Sequence, residues 1–209
     1  MDLDGTLTDP MEGITKSVQY ALHHLGIEVD DLYSLCKFIG PPLRDSFITY
    51  YSLSEKQADV ALLKYRERFK DTGIFENKVY EGIDELLHKL SDDNRMLLLA
   101  SSKPTVFVER ILEHFGLRNY FSFVGGSNLD GTRVHKDEVI RYVLDRAKVR
   151  DLSASVMVGD REFDIVGAKK NGLDSIGVLY GYGSAAELSG AGATCLVENV
   201  HELGLLLLD

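Results

Sequence analysis

The most constraining feature of this chain is the order of its apolar runs after residue 95. Met96–Ala100 is short and continuously apolar, as expected of a strand buried on both faces of a parallel sheet. Tyr120–Val124, Ala154–Val158, Ser175–Leu179 and Thr194–Val197 read as further strands. Pro104–Phe115, Lys136–Ala147, Phe163–Lys170 and Val200–Leu208 have helical spacing, with Gly116 and Gly172 as stops for the first and third. Short strands alternating with helices predict an α/β fold built on a doubly wound parallel sheet.

The first third reads differently. Ile14, Val18, Ala21, Leu22 and Leu25 share one helical face, and Gly26 stops that helix. Asp30 or Asp31 can cap a short helix through Lys37, which Gly40-Pro41-Pro42 breaks. A further helix is expected from Pro42 to Tyr51, and Ser54 with Gln57 forms a capping box for one through Phe69. No strand pattern is evident before Arg95. The expected organisation is a core of residues 1–12 and 78–209, with 13–77 inserted as a helical cap domain.

Composition narrows the function. Of 209 residues, 44% are hydrophobic and 27% charged, the balance of a soluble globular protein. The net charge of −10 repels nucleic acids and anionic membranes, so neither is expected as a partner. An anionic ligand would need a local positive site or a metal. There is no apolar run of membrane length and no basic-then-apolar leader. Cys36 and Cys195 lie far apart in no metal-ligand spacing. A cytoplasmic location is the resulting expectation, and monomer and homodimer are both compatible. The six histidines show no ligand spacing, and Phe47, Tyr50 and Tyr51 read as helical core rather than a stacking platform.

In open sheets of this type, ligands sit beyond the carboxyl ends of the strands. There the sequence places Ser101, Ser102 and Lys103 after one run, Gly159, Asp160 and Arg161 after another, and Asp164 one turn later. Gly125-Gly126-Ser127-Asn128 follows a third run, and Lys136 opens a helix. Carboxylates crowded at one point raise one another's pKa, which a hard divalent cation such as Mg²⁺ relieves. One carboxylate is then free to attack phosphorus, a second to protonate the leaving oxygen and activate water. Lysine and hydroxyl groups would neutralise the remaining oxygens, helped by backbone N–H groups around Gly5. Each residue also has a plainer reading. Asp-Gly is common in turns, Asp160 and Asp164 suit a helix start, Ser101 suits a cap, and Lys103 rivals Lys136.

Together, Asp2-Leu3-Asp4-Gly5-Thr6-Leu7, Ser101 after its strand, Lys136, and Gly159-Asp160-Arg161-Glu162-Phe163-Asp164 resemble the four ordered motifs of the haloacid dehalogenase-like hydrolase superfamily. The Gly125–Asn128, Gly177–Gly183 and Phe38–Leu43 stretches look like its phosphoglycolate phosphatase and 5′-nucleotidase-like branch. The resemblance implies a Rossmann-like core with a helical cap between the first two motifs, and hydrolysis of a small phosphorylated metabolite. It implies Asp2 as nucleophile, Asp4 as acid/base, and Ser101 with Lys136 as the phosphoryl-holding pair. Asp2, the Asp4 carbonyl, Asp160 and Asp164 would serve Mg²⁺, with Asp164 orienting Lys136 or a metal-bound water. Gly5, Thr6, Ser102 and Arg44 are expected substrate contacts.

Asp4 argues against a dehalogenase, which needs no proton donor there, but suits a sugar-phosphate mutase as well as a phosphatase. A binding homologue without chemistry is a further alternative. In the family an apolar strand at the centre of the sheet precedes the nucleophile, whereas here Met1 alone stands before Asp2. The expectation is of unpaired backbone on the two neighbouring strands and an apolar slot between the layers. A late start, a truncation and an incomplete sheet all fit that departure.

Overall fold

A computed structural model describes residues 1–208, which divide into two compact units, Pro10–Lys78 and Met1–Asp9 with 79–208. The first unit is helical: α1 (Met11–His24), a 3-10 helix (Leu32–Phe38), α2 (Leu43–Tyr51) and α3 (Glu55–Arg68). Asp31 accepts from the Tyr33 N–H at the 3-10 helix, and the Ser54–Gln57 capping box starts α3 as the sequence predicts. Phe38 packs on Phe47 and Tyr50 at ring-centroid distances of 5.0 and 5.3 Å; Phe38 and Phe47 are buried core, whereas Tyr50, expected as core, is exposed and Tyr51 half-buried. No described helix is long and apolar enough to cross a membrane.

The second unit carries the α/β fold. After the two-residue strands β1 (Thr8–Asp9) and β2 (Lys78–Val79) come α4 (Ile83–Asp92), β3 (Leu98–Pro104), α5 (Thr105–His114) and β4 (Phe123–Ser127). Then follow α6 (Lys136–Ala147), β5 (Val156–Gly159), α7 (Glu162–Lys170), β6 (Asp174–Val178), α8 (Ala185–Ala191), β7 (Cys195–Val197) and α9 (Val200–Leu208). β3 pairs with β4, and β5 with β6 and β6 with β7, all in parallel.

Several sequence expectations are displaced. The strand expected at Tyr120–Val124 lies at Phe123–Ser127, and Arg118–Tyr120 is a 3-10 turn. Gly125 and Gly126, placed beyond the run by the sequence, belong to the strand, and a Cβ on Gly126 would stand 2.3 Å from the Lys103 carbonyl oxygen. β3 runs past its apolar stretch through Ser101 and Lys103, with a register shift between Ala100 and Pro104. α4 has a clear apolar face of Ile83, Leu86, Leu87 and Leu90 that the strand-led reading passed over, as it did α8.

Met1 and Asp2 bridge the two halves of the sheet. The Met1 ammonium donates to Leu98 O (2.9 Å), Ala100 N donates to Met1 O (2.9 Å), and Asp2 N donates to Val158 O (2.9 Å). These are the bonds of a parallel strand lying between β3 and β5. Behind Met1 a cavity of about 440 Å³, lined by Leu98, Ile140, Val143, Val156, Met157 and Leu173 among others, continues the same line between the strands.

Candidate active site

The side chains meet because of where their strands end. Asp2 emerges from the Met1–Asp2 bridge, Ser101 lies in β3, Asp160 follows β5, and Asp164 and Lys136 stand in the first turns of α7 and α6. Asp2, Asp4, Ser101, Lys136, Asp160 and Asp164 are all buried. Asp2, Asp160 and Asp164 each offer a carboxylate oxygen, and these oxygens lie within 4.8 Å of one another. Lys136 Nζ stands 2.7 Å from both Asp2 Oδ1 and Asp164 Oδ1 and donates to Ala100 O at 3.1 Å. The two carboxylate contacts are ion pairs outside hydrogen-bond geometry, so Asp2 Oδ1 and Asp164 Oδ1 are buried oxygens without a hydrogen-bond partner.

Burial drives the Asp160 carboxyl well above its usual pKa, and the charges of Asp164 and Asp2 add to the shift. Burial also raises Asp164, against the opposing pull of Lys136. For Lys136, burial disfavours the charge, yet Asp164 and Asp2 outweigh it and hold the ammonium protonated. Two of the three clustered carboxylates thus share one ammonium, and Asp160 has none in contact. Hard oxygen donors within 4.8 Å of one another, with more negative charge than one ammonium offsets, fit a hard divalent cation of the Mg²⁺ type. Asp164 is also tied locally, its Oδ2 accepting from Arg161 N at 3.1 Å.

Asp4 lies outside that cluster of three. Its carboxylate contacts Lys103 Nζ at 2.7 Å, and burial raises its pKa although Lys103 opposes the rise. The two lysines therefore divide between the two carboxylates of the first motif, Lys136 at Asp2 and Lys103 at Asp4. The Ser101 hydroxyl accepts from Lys103 N at a long 3.4 Å, and Ser102 is half-buried beside it.

The Gly5 and Thr6 N–H groups behave differently from expectation. They donate within their own turn, to Thr8 O (2.8 Å) and Leu3 O (3.2 Å), rather than standing free for a ligand. The Thr6 hydroxyl reaches Asp160 Oδ1 at 3.4 Å. Gly5 has φ +81°, and a Cβ there would lie 2.1 Å from Asp160 Oδ2, so glycine lets this turn rest on Asp160. Arg44 belongs to the helical unit, where it pairs with Asp59 (2.6 Å) and Glu55 (3.5 Å). His135, exposed at the start of α6, takes no part in the cluster.

Sequence reasoning passed over the Tyr180 and Tyr182 contacts. Tyr182 N donates to Asp160 Oδ2 (2.8 Å), and Tyr180 Oη donates to Thr6 O (3.0 Å). The tyrosines interleaved with glycines over residues 177–183 were the available signal.

A family model for haloacid dehalogenase-like hydrolases matches residues 1–178. A 5′-nucleotidase from Pseudomonas aeruginosa is 51% identical over 189 residues, covering 90% of this chain and 84% of its own. The crystal structure of a predicted phosphatase from Clostridium acetobutylicum superposes with a TM-score of 0.95 at 52% identity, covering 99% of this chain and 95% of that one. The tyrosine-protein kinase PtkA of Mycobacterium tuberculosis is 37% identical over 185 residues, covering 88% of this chain and 62% of that protein. With this match and the acidic cluster in place, the chain belongs to the haloacid dehalogenase-like hydrolases, among relatives named as phosphatases and a 5′-nucleotidase.

Proposed function

We propose that this chain is a Mg²⁺-dependent phosphohydrolase that removes phosphate from a small phosphomonoester, phosphoglycolate or a 5′-nucleotide, through an aspartyl-phosphate on Asp2. The observation that carries the reading is the buried Asp2 carboxylate, 2.7 Å from Lys136 and clustered with Asp160 and Asp164. Asp4 stands two residues away on a separate ammonium.

One Asp2 oxygen forms a bond to phosphorus as the bond to the leaving oxygen breaks. Asp4 gives its proton to that oxygen, and its raised pKa suits the role. Water then attacks the phosphorus, its proton passes to Asp4, and Asp2 leaves as the free carboxylate. Lys136 offsets the charge on Asp2 and, with Ser101, holds the phosphoryl oxygens. Mg²⁺ held by Asp2, Asp160, Asp164 and the Asp4 carbonyl would supply charge neutralisation of the phosphate. The helical unit would act as the cap that selects the leaving group, with Arg44 released from Asp59 and Glu55 to meet the ligand. The substrate preference rests on the relatives' names and on this chemistry.

The test is phosphate release from a broad panel of phosphomonoesters with Mg²⁺, run beside Asp2→Asn. Release that falls by at least ~100-fold in Asp2→Asn is expected; full turnover by that variant would refute the mechanism. Two further arms separate neighbouring chemistries. One is isomerisation of a sugar phosphate with a bisphosphate primer. The other is transfer from a nucleoside triphosphate to a tyrosyl peptide, relevant because of the PtkA likeness.

A further inference from the structure

The loop after β6 touches both halves of the acidic site. Tyr182 N donates to Asp160 Oδ2 at 2.8 Å, and Tyr180 Oη donates to Thr6 O at 3.0 Å. Between them, a Cβ on Gly181 would stand 2.4 Å from Asp160 Cβ and 2.4 Å from Gly5 O. The loop backbone is therefore pressed against the Asp160 side chain and the Gly5 turn at once. The Tyr182 hydroxyl is itself fixed by Asp9 Oδ1, and the Tyr180 ring packs edge-on against Tyr80 at 5.1 Å. Tyr180, Gly181 and Tyr182 lie outside the four motifs.

We propose that Tyr180–Gly183 is a positioning clamp that presets Asp160 for cation binding. It rests on the phosphohydrolase reading, because that reading supplies the cation. One Asp160 oxygen, Oδ2, is committed to the Tyr182 amide. The other, Oδ1, meets the Thr6 hydroxyl at 3.4 Å, a contact long enough to yield to a metal. The amide bond fixes the carboxylate rotamer, and the Tyr180 hydroxyl fixes the distance between the Asp2–Thr6 turn and the loop. Without the clamp, Asp160 must be ordered at the moment of binding, which weakens the ion's affinity but not the chemistry that follows.

The backbone amide cannot be removed by ordinary substitution, so the anchors are the targets. Tyr182→Phe releases the loop from Asp9, Tyr180→Phe releases it from Thr6, and Gly181→Ala forces it off Asp160. Mn²⁺ affinity is measured by calorimetry and by the Mn²⁺ spin-resonance signal, with far-ultraviolet dichroism to show that each variant folds. The expected result is a ~10-fold weaker Mn²⁺ dissociation constant in the phenylalanine variants and a larger loss in Gly181→Ala. Turnover should recover as metal is raised to saturation. Variants that bind Mn²⁺ as tightly as the unaltered chain overturn the clamp. So does turnover that stays low at saturating metal with unchanged affinity. An unaltered chain that binds no Mn²⁺ overturns the metal reading and the clamp with it.

Discussion

Extending the chain ahead of Met1 by a strand's usual length of about six apolar residues should stabilise it by an amount the structure sets. Met1 already pairs with β3, and Asp2 with β5. Alternate residues of a parallel strand face the same neighbour, so the N–H groups of Leu98 and Val158 and the C=O groups of Met96 and Val156 face the line of the cavity. The cavity holds about 440 Å³ and is partly open to solvent. Filling about half of it at ~24 cal/mol per Å³ gains about 5 kcal/mol, and four ladder hydrogen bonds add roughly 4. Ordering the new residues costs about 9 kcal/mol.

The extension also replaces a buried ammonium, whose pKa burial lowers to about 6 from 8.0. Between those values the folded chain binds fewer protons than the unfolded one, so its stability rises with pH. That penalty is roughly 1.4 kcal/mol at pH 7, doubles below pH 6 and vanishes above pH 8. The net gain at pH 7 is about 1.5 kcal/mol, or ~3–6 °C in melting temperature. Scanning calorimetry of the unextended chain, the apolar extension and a Ser/Gly extension of equal length decides the matter. The apolar extension should melt highest, and its lead over the unextended chain should widen from pH 8 to pH 6. An apolar extension that melts no higher than the Ser/Gly one would refute the strand-slot reasoning.

Lys136→Met should lower stability by about 3–5 kcal/mol, because Asp2 and Asp164 lose their ammonium while still buried; Mg²⁺ should restore part of the melting temperature. Glu76 receives two hydrogen bonds from Arg68 (2.8 and 3.0 Å), which hold its carboxyl below the usual pKa, with Lys16 assisting. Its contribution is fully present above about pH 4.5 and lost as pH falls through the lowered folded-state pKa, so Glu76→Gln should cost about 1 kcal/mol at pH 7 and progressively less at acid pH in urea titrations. Ser54→Ala removes one half of the α3 capping box and should cost about 1 kcal/mol by the same measurement.

Periodicity and motif order carried the core strands, the helical insertion and the convergence of Asp2, Asp160, Asp164 and Lys136. Apolar runs mark strands only while the strand is buried on both faces, so the polar end of β3, from Ser101 to Lys103, looked like loop. Gly125-Gly126 reads as lying beyond its strand, because sequence cannot show that close backbone approach is what calls for glycine. The partition of Lys103 to Asp4 and Lys136 to Asp2 is a matter of a few ångströms, below what spacing encodes. The same holds for the turn amides of Gly5 and Thr6, whose partners lie within the turn itself.

The contacts of the segment that carries Asp2 reach far along the chain. Met1 pairs with Leu98, 97 residues away, Thr6 reaches Asp160 across 154, and Tyr180 returns to Thr6 across 174. During synthesis Asp2 is made well before Val158, yet its seat between β3 and β5 exists only once Val158 has emerged. A nascent chain interrupted anywhere before that point carries the Asp2 carboxylate without its neighbours. The order of manufacture thereby leaves the acidic cluster unassembled until the domain is nearly complete.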